Sequence, residues 1–169
     1  MIPVYVLDDE TPGDLGVGVS LAQQVQHRLF DLGGELALPE QALLPEAAVA
    51  ELDEALAQHN AALPPLKEFI LPGGTPAGAY LHVARTVARR AERAAWTAVA
   101  VHGTDPAQEG AEKGTGGVSV LPGKYLNRLS DLLFILARSA AGAEGDVLWE
   151  PGGGRSQQPE RHRGPRQEG

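Results

Sequence analysis

Arg85, Arg89 and Arg93 fall four residues apart in the segment HVARTVARRAER, with Arg90 and Glu92 beside them. On a helix this spacing lines one face. Guanidinium forks match phosphate oxygens two at a time, so a row of them can hold a polyphosphate. The plain alternative is a solvated face on which Arg89 pairs with Glu92 three residues on. In YLNRLSDLLFILAR, Asn127, Ser130 and Asp131 share the polar side of a leucine-striped helix. Asn127 can bind a base or ribose and Asp131 can anchor an arginine of the preceding helix; both can equally be surface polar groups.

A third element lies near the start. PGDLGVGV carries Gly13, Asp14 and Gly16 ahead of a helix, and glycine N–H groups can converge on an anion while the helix N-terminus adds a favourable dipole. Phe69 and Trp149 are scarce aromatics beside glycine-rich turns, where either can wall a flat ligand or simply pack in the core. The histidines at 27, 59, 82, 102 and 162 have no metal-ligand spacing such as HExxH, and there is no cysteine for a thiolate site or a disulfide. No metal site is expected from the protein alone.

Helical periodicity places these groups. Leu21, Val25, Leu29, Leu32 and Leu36 form one stripe of a helix over 20–38, ended by Pro39. Pro45 suits the first position of a second helix, to about residue 62, with Val49, Leu52 and Leu56 on its stripe. LPPLKEFILPGGTP is a connector with a short extended run and a turn. Thr75 and Pro76 then read as the N-cap and first residue of a long third helix, to about 100, with a lean face of Leu81, Ala84, Ala88, Ala91 and Ala95. Residues 101–123, with six glycines, make a loop of unusual length for a bundle. A fourth helix over 124–141 carries Leu126, Leu129, Leu132, Leu133 and Leu136.

With 169 residues, dominated by Ala and Leu, the chain is expected to form one all-α bundle of four to five helices over 20–151. Residues 1–19 form a divergent N-terminal segment and 152–169 a disordered tail rich in Gly, Pro, Gln and Arg. The net charge is −8 although the tail is locally basic, so the body is more acidic than the whole. An acidic body argues against nucleic acid as a partner. No signal peptide and no membrane span are visible, so a cytoplasmic location is expected.

Taken in order, LFDLGGELA, LPPLKEFILPGGTPAGAYLHVARTVARRAER, YLNRLSDLLFILAR and DVLW resemble the ATP:cob(I)alamin adenosyltransferases of the PduO type. The resemblance covers about 20–98 and 124–151. It implies a helical bundle assembling as a homotrimer with active sites between subunits, and transfer of the 5′-deoxyadenosyl group of ATP to cob(I)alamin, with Mg²⁺ on the nucleotide and a reductase supplying the reduced corrinoid. It places Arg89, Arg90, Glu92 and Arg93 around the triphosphate and Asn127 near the nucleotide. It pairs Arg85 with an acid of the first helix, sets Phe69 against the lower face of the cobalt with Trp149 in the same pocket, and makes Gly13, Asp14 and Gly16 the remnant of an ATP loop.

That loop departs from the family's TGDxGxT-type pattern, because Val17 stands where the pattern has Thr and so removes a hydroxyl near Mg²⁺. The loop after the third helix is also longer and richer in glycine than the pattern. Two other readings stay open: a noncatalytic homologue that keeps the trimer and corrinoid pocket, and a helical bundle used as an interaction module.

Overall fold

The computed structural model describes residues 15–38, 41–112, 114–142 and 145–152, and for 15–20 the backbone alone. Gly13, Asp14 and the tail from 153 lie outside the described residues. Among the described residues there are four helices: α1 (Leu15–Ala37), α2 (Ala47–Asn60), α3 (Pro76–His102) and α4 (Leu121–Ser139). The expected all-α class holds, and none of these helices is long and apolar enough to cross a membrane.

Helix α4 is the centre of the bundle, packed chiefly against α3 on one side and α2 on the other. Its leucines at 126, 129 and 132 join Tyr125, Leu32, Leu44, Ala48, Leu52 and Ala95 in one core, which Leu21, Val25 and Leu36 of α1 cover. The stripe read for α1 thus faces inward, apart from Leu29, which is exposed. On α3 the lean face divides: Ala88 and Ala95 are buried, while Ala84 and Ala91 face out. The buried alanines let the α3 and α4 backbones approach closely, as does Gly123, where a Cβ would lie 2.8 Å from the Trp96 ring.

Local chemistry sets the helix ends. Thr75 accepts a hydrogen bond from the Gly78 amide at 3.1 Å and Pro76 occupies the first turn, as read from sequence. Helix α3 stops at Gly103, whose φ of 73° a side chain would disfavour. Helix α2 begins two residues later than expected, with Pro45 accepting from the Ala48 amide in the turn before it. Helix α4 begins earlier, with Pro122 in its first turn.

The largest correction is at the start. Helix α1 begins at Leu15, so Gly16 is helical and not part of a free phosphate-binding loop. No proline interrupts residues 15–38, and helical glycine costs only about 1 kcal/mol relative to alanine.

Two long loops are fixed at their bases. Buried Glu35 of α1 accepts from the amides of Leu43 and Leu44 at 3.1 and 2.9 Å, which orders the approach to α2. After α3, the Gly117 amide donates to Asp105 and the Val118 amide to Gly103, at 2.7 and 2.8 Å, closing the glycine-rich loop into a hairpin.

Candidate active site

The arginines of α3 do not remain on one face. An i, i+4 row drifts about 40° per step around a helix of 3.6 residues per turn. Arg85 is accordingly half-buried against α4, the Arg89 side chain is 42% exposed at the edge, and Arg93 is exposed. Arg90 is exposed on another side of the helix.

Between them sits Glu92, its side chain only 8% exposed. A carboxylate taken out of water must be paired and hydrogen-bonded. Arg89 Nη1 meets one oxygen at 2.6 Å, and Asn127 Nδ2 of α4 donates to the other at 2.9 Å. Three residues of the sequence-based site therefore form one polar node across the α3–α4 seam. Arg93 turns back to donate to the Arg89 carbonyl at 3.4 Å, and Ser130 donates to the Asn127 carbonyl at 2.7 Å.

Asp131 is placed elsewhere. It pairs with Arg128 of its own helix at 3.3 Å rather than with an arginine of α3, and Arg128 also reaches Asp53 of α2 at 2.5 Å. The side of α4 that Asp131 presents thus belongs to the α2 contact.

Toward the other end of α3, a cleft of about 570 Å³ is lined by residues 66–70, Arg85 and Phe134. Its rim is built by the connector and the segment after α4, which meet as a minimal antiparallel pair at Ile70 and Leu148. The Leu71 amide donates to Val147 and the Trp149 amide to Phe69, both at 2.7 Å. This pairing sets the Phe69 and Trp149 rings edge to face with centroids 6.2 Å apart. Phe69 is 77% exposed, so core packing does not explain it.

At the α4 wall, the Arg85 guanidinium lies 5.1 Å from the Phe134 ring centroid, and His82 meets the same ring edge to face. Burial, then the neighbouring Arg85 charge, lower the His82 pKa from its usual 6.5, against the opposing pull of Asp146. Arg85 Nε is buried without a hydrogen-bond partner among the described residues. The acids of α1 are engaged elsewhere: Glu35 holds backbone amides and Asp31 lies 4.0 Å from Arg28.

Phe134 and Arg138 were not singled out from the sequence. Both follow Asn127 at helical spacing, at i+7 and i+11, so they share the face of α4 that carries Asn127.

Comparison with known proteins identifies the family of the chain. Residues 16–140 match the family model described as cobalamin adenosyltransferase. A corrinoid adenosyltransferase of Mycobacterium tuberculosis is 51% identical over 169 residues, covering 90% of this chain and 81% of the relative. One from Bacillus subtilis is 40% identical over 131 residues, covering 75% and 61%. Among solved structures, a variant PduO-type ATP:corrinoid adenosyltransferase from Lactobacillus reuteri, complexed with cobalamin and ATP, aligns with a TM-score of 0.67 at 28% identity, over 86% of this chain and 75% of that one. With polar node and aromatic cleft both inside the matched span, the chain belongs to the cobalamin adenosyltransferase family.

Proposed function

We propose that this chain transfers the 5′-deoxyadenosyl group of ATP to cob(I)alamin, giving adenosylcobalamin and triphosphate. One observation carries the reading: the span that matches the family contains both the Arg89–Glu92–Asn127 node and the cleft between Phe69 and Phe134. ATP sits at the node and the corrinoid in the cleft. Arg85 joins the two, since it lines the cleft one helical turn, about 6 Å, before Arg89.

The cobalt(I) lone pair attacks the ribose C5′, the bond from C5′ to its oxygen breaks, and that electron pair leaves with the triphosphate. The new cobalt–carbon bond leaves the metal formally as Co(III). Negative charge grows on the departing chain, and fixed cations aimed at it lower the barrier. Arg89 gives Nη1 to Glu92 and keeps its remaining donors for phosphate, with Arg90 and Arg93 alongside. Glu92 orients Arg89, and Asn127 spends one amide hydrogen on Glu92 and keeps its carbonyl for the nucleoside. Phe69, with Trp149 behind it, excludes water from the lower face of the cobalt.

Among the described residues no cluster of His, Asp or Glu could hold a metal, and Glu92 is already engaged. These residues do not suit Mg²⁺ as a protein-bound ion, and ATP carries it on its own oxygens. Leu15 and Gly16 open α1, whose first-turn backbone amides suit a phosphate.

The working unit is a homotrimer with the site completed between subunits. Two features support this: Arg85 Nε, which has no partner among the described residues and suits an acid of a neighbouring subunit, and the exposed Val83, Val87 and Val101 on α3. The protein works in the cytoplasm, with a reductase supplying cob(I)alamin. The test is incubation of purified protein with chemically reduced cobalamin and MgATP. Conversion of the absorbance spectrum to that of adenosylcobalamin is expected; no conversion, with ATP binding also absent by calorimetry, would overturn the reading.

A further inference from the structure

Arg138 is buried on α4 and takes no part in the chemistry above. Its side chain is 4% exposed, and that of its partner Asp146 is 14% exposed. Arg138 Nε donates to Asp146 Oδ2 at 2.9 Å and Nη2 donates to the Pro64 carbonyl at 2.7 Å. The two acceptors belong to the two segments that form the aromatic rim. Pro64 lies two residues before the first that lines the cleft, and Asp146 lies just before the stretch that pairs with the connector and ends in Trp149.

Besides Arg138, those segments meet through two backbone bonds beside Ile70 and Leu148 and through the edge-to-face contact of Phe69 with Trp149. A two-stranded contact so short is at best marginal alone in water. Phe69 is exposed, so burial in the core does not hold it either. A buried ion pair adds little net stability, because desolvation offsets the attraction. What the rigid guanidinium fork does supply is geometry, holding two acceptors in one plane at fixed separation.

We propose that Arg138, clamped to Asp146 and the Pro64 carbonyl, is a positioning residue that sets the Phe69–Trp149 pair over the cleft, so that the corrinoid meets a preformed apolar wall. This rests on the assignment of the cleft to the corrinoid. Arg138 touches neither substrate and acts through the two segments it joins.

The test uses the full chain with three variants: R138K, which keeps the charge but loses the fork; D146N; and the double variant R138M/D146L, which removes both charges together and so leaves neither buried alone. For each, kcat and KM are measured separately for cobalamin and ATP, with thermal melting and titration of cob(II)alamin followed by electron paramagnetic resonance in the presence of ATP. The expected result is a cobalamin KM raised about tenfold, with the KM for ATP changed less than about twofold, in the double variant as in the single ones. The double variant melts close to the wild type, and a smaller share of its bound cob(II)alamin loses the splitting from its axial nitrogen.

An unchanged cobalamin KM and spectrum in the double variant would overturn the proposal. So would a rise in both KM values in step with a lower melting temperature, which is the signature of a merely structural ion pair. Wild-type protein that binds cobalamin but does not turn over would count against the transfer reaction alone, and the binding and spectroscopic comparison would still decide the role of Arg138.

Discussion

Asn127 and Glu92 are joined across the α3–α4 seam by a hydrogen bond of 2.9 Å, from the Asn127 side-chain amide to Glu92 Oε1. The other carboxylate oxygen holds Arg89 at 2.6 Å. One buried acid therefore fixes a group read as binding nucleoside and a group read as binding phosphate. Asn127→Ala removes a donor from that acid and is expected to cost about 1–3 kcal/mol in urea unfolding, because the carboxylate oxygen stays buried and under-bonded. Its KM for ATP should rise more than its KM for cobalamin.

Arg89 is at the edge of the seam and contributes little to the core. Arg89→Ala should lower kcat by about 10²-fold or more while the far-ultraviolet circular dichroism stays that of the wild type. Arg89→Lys should recover only part of the loss, since an ammonium group cannot hold Glu92 and phosphate with the same planar fork. Wild-type turnover in Arg89→Ala would remove the phosphate role.

Phe69 separates function from stability. Because Phe69 is 77% exposed, Phe69→Ala should change unfolding free energy by no more than about 0.5 kcal/mol. Turnover with cob(I)alamin should nonetheless fall clearly, as the apolar wall of the cleft is lost. Steady-state kinetics beside chemical denaturation checks both halves.

Tyr125 gives a pH dependence of known sign. It is 1% exposed, and its pKa is pushed up from 10.0 to about 12, chiefly by burial. The folded state thus holds the phenolic proton more tightly than the unfolded chain. The stability this contributes is complete below pH 10 and is lost as pH rises toward 12. Tyr125→Phe should flatten the fall in melting temperature across that window, measured by scanning calorimetry from pH 9 upward.

Local chemistry made much of this legible in the sequence. The Thr75 cap with Pro76, the leucine stripe of α4 and the Arg89–Glu92 spacing all depend on residues within a turn or two of one another, and all recur in the structure. The family motifs brought Phe69 and Trp149 to one pocket, and their rings do meet. What stayed hidden depends on distance along the chain. Arg138 reaches the Pro64 carbonyl across 74 positions, and no periodicity encodes such a contact. Asp131 was drawn toward the wrong neighbour because helical spacing says which residues share a face but not which helix that face meets. The glycines near α1 suggested a loop because glycine is permissive, yet the same permissiveness lets Gly16 be helical.

Whether the node and the cleft together carry out adenosyl transfer is decided by a single-turnover experiment. Purified protein is mixed with limiting cob(I)alamin and excess MgATP under reducing, anaerobic conditions, and adenosylcobalamin and triphosphate are both quantified in wild type and in Arg89→Ala. Equal amounts of the two products are expected from the wild type and almost none from the variant. Intact triphosphate without adenosylcobalamin, or equal product from the variant, would contradict that assignment.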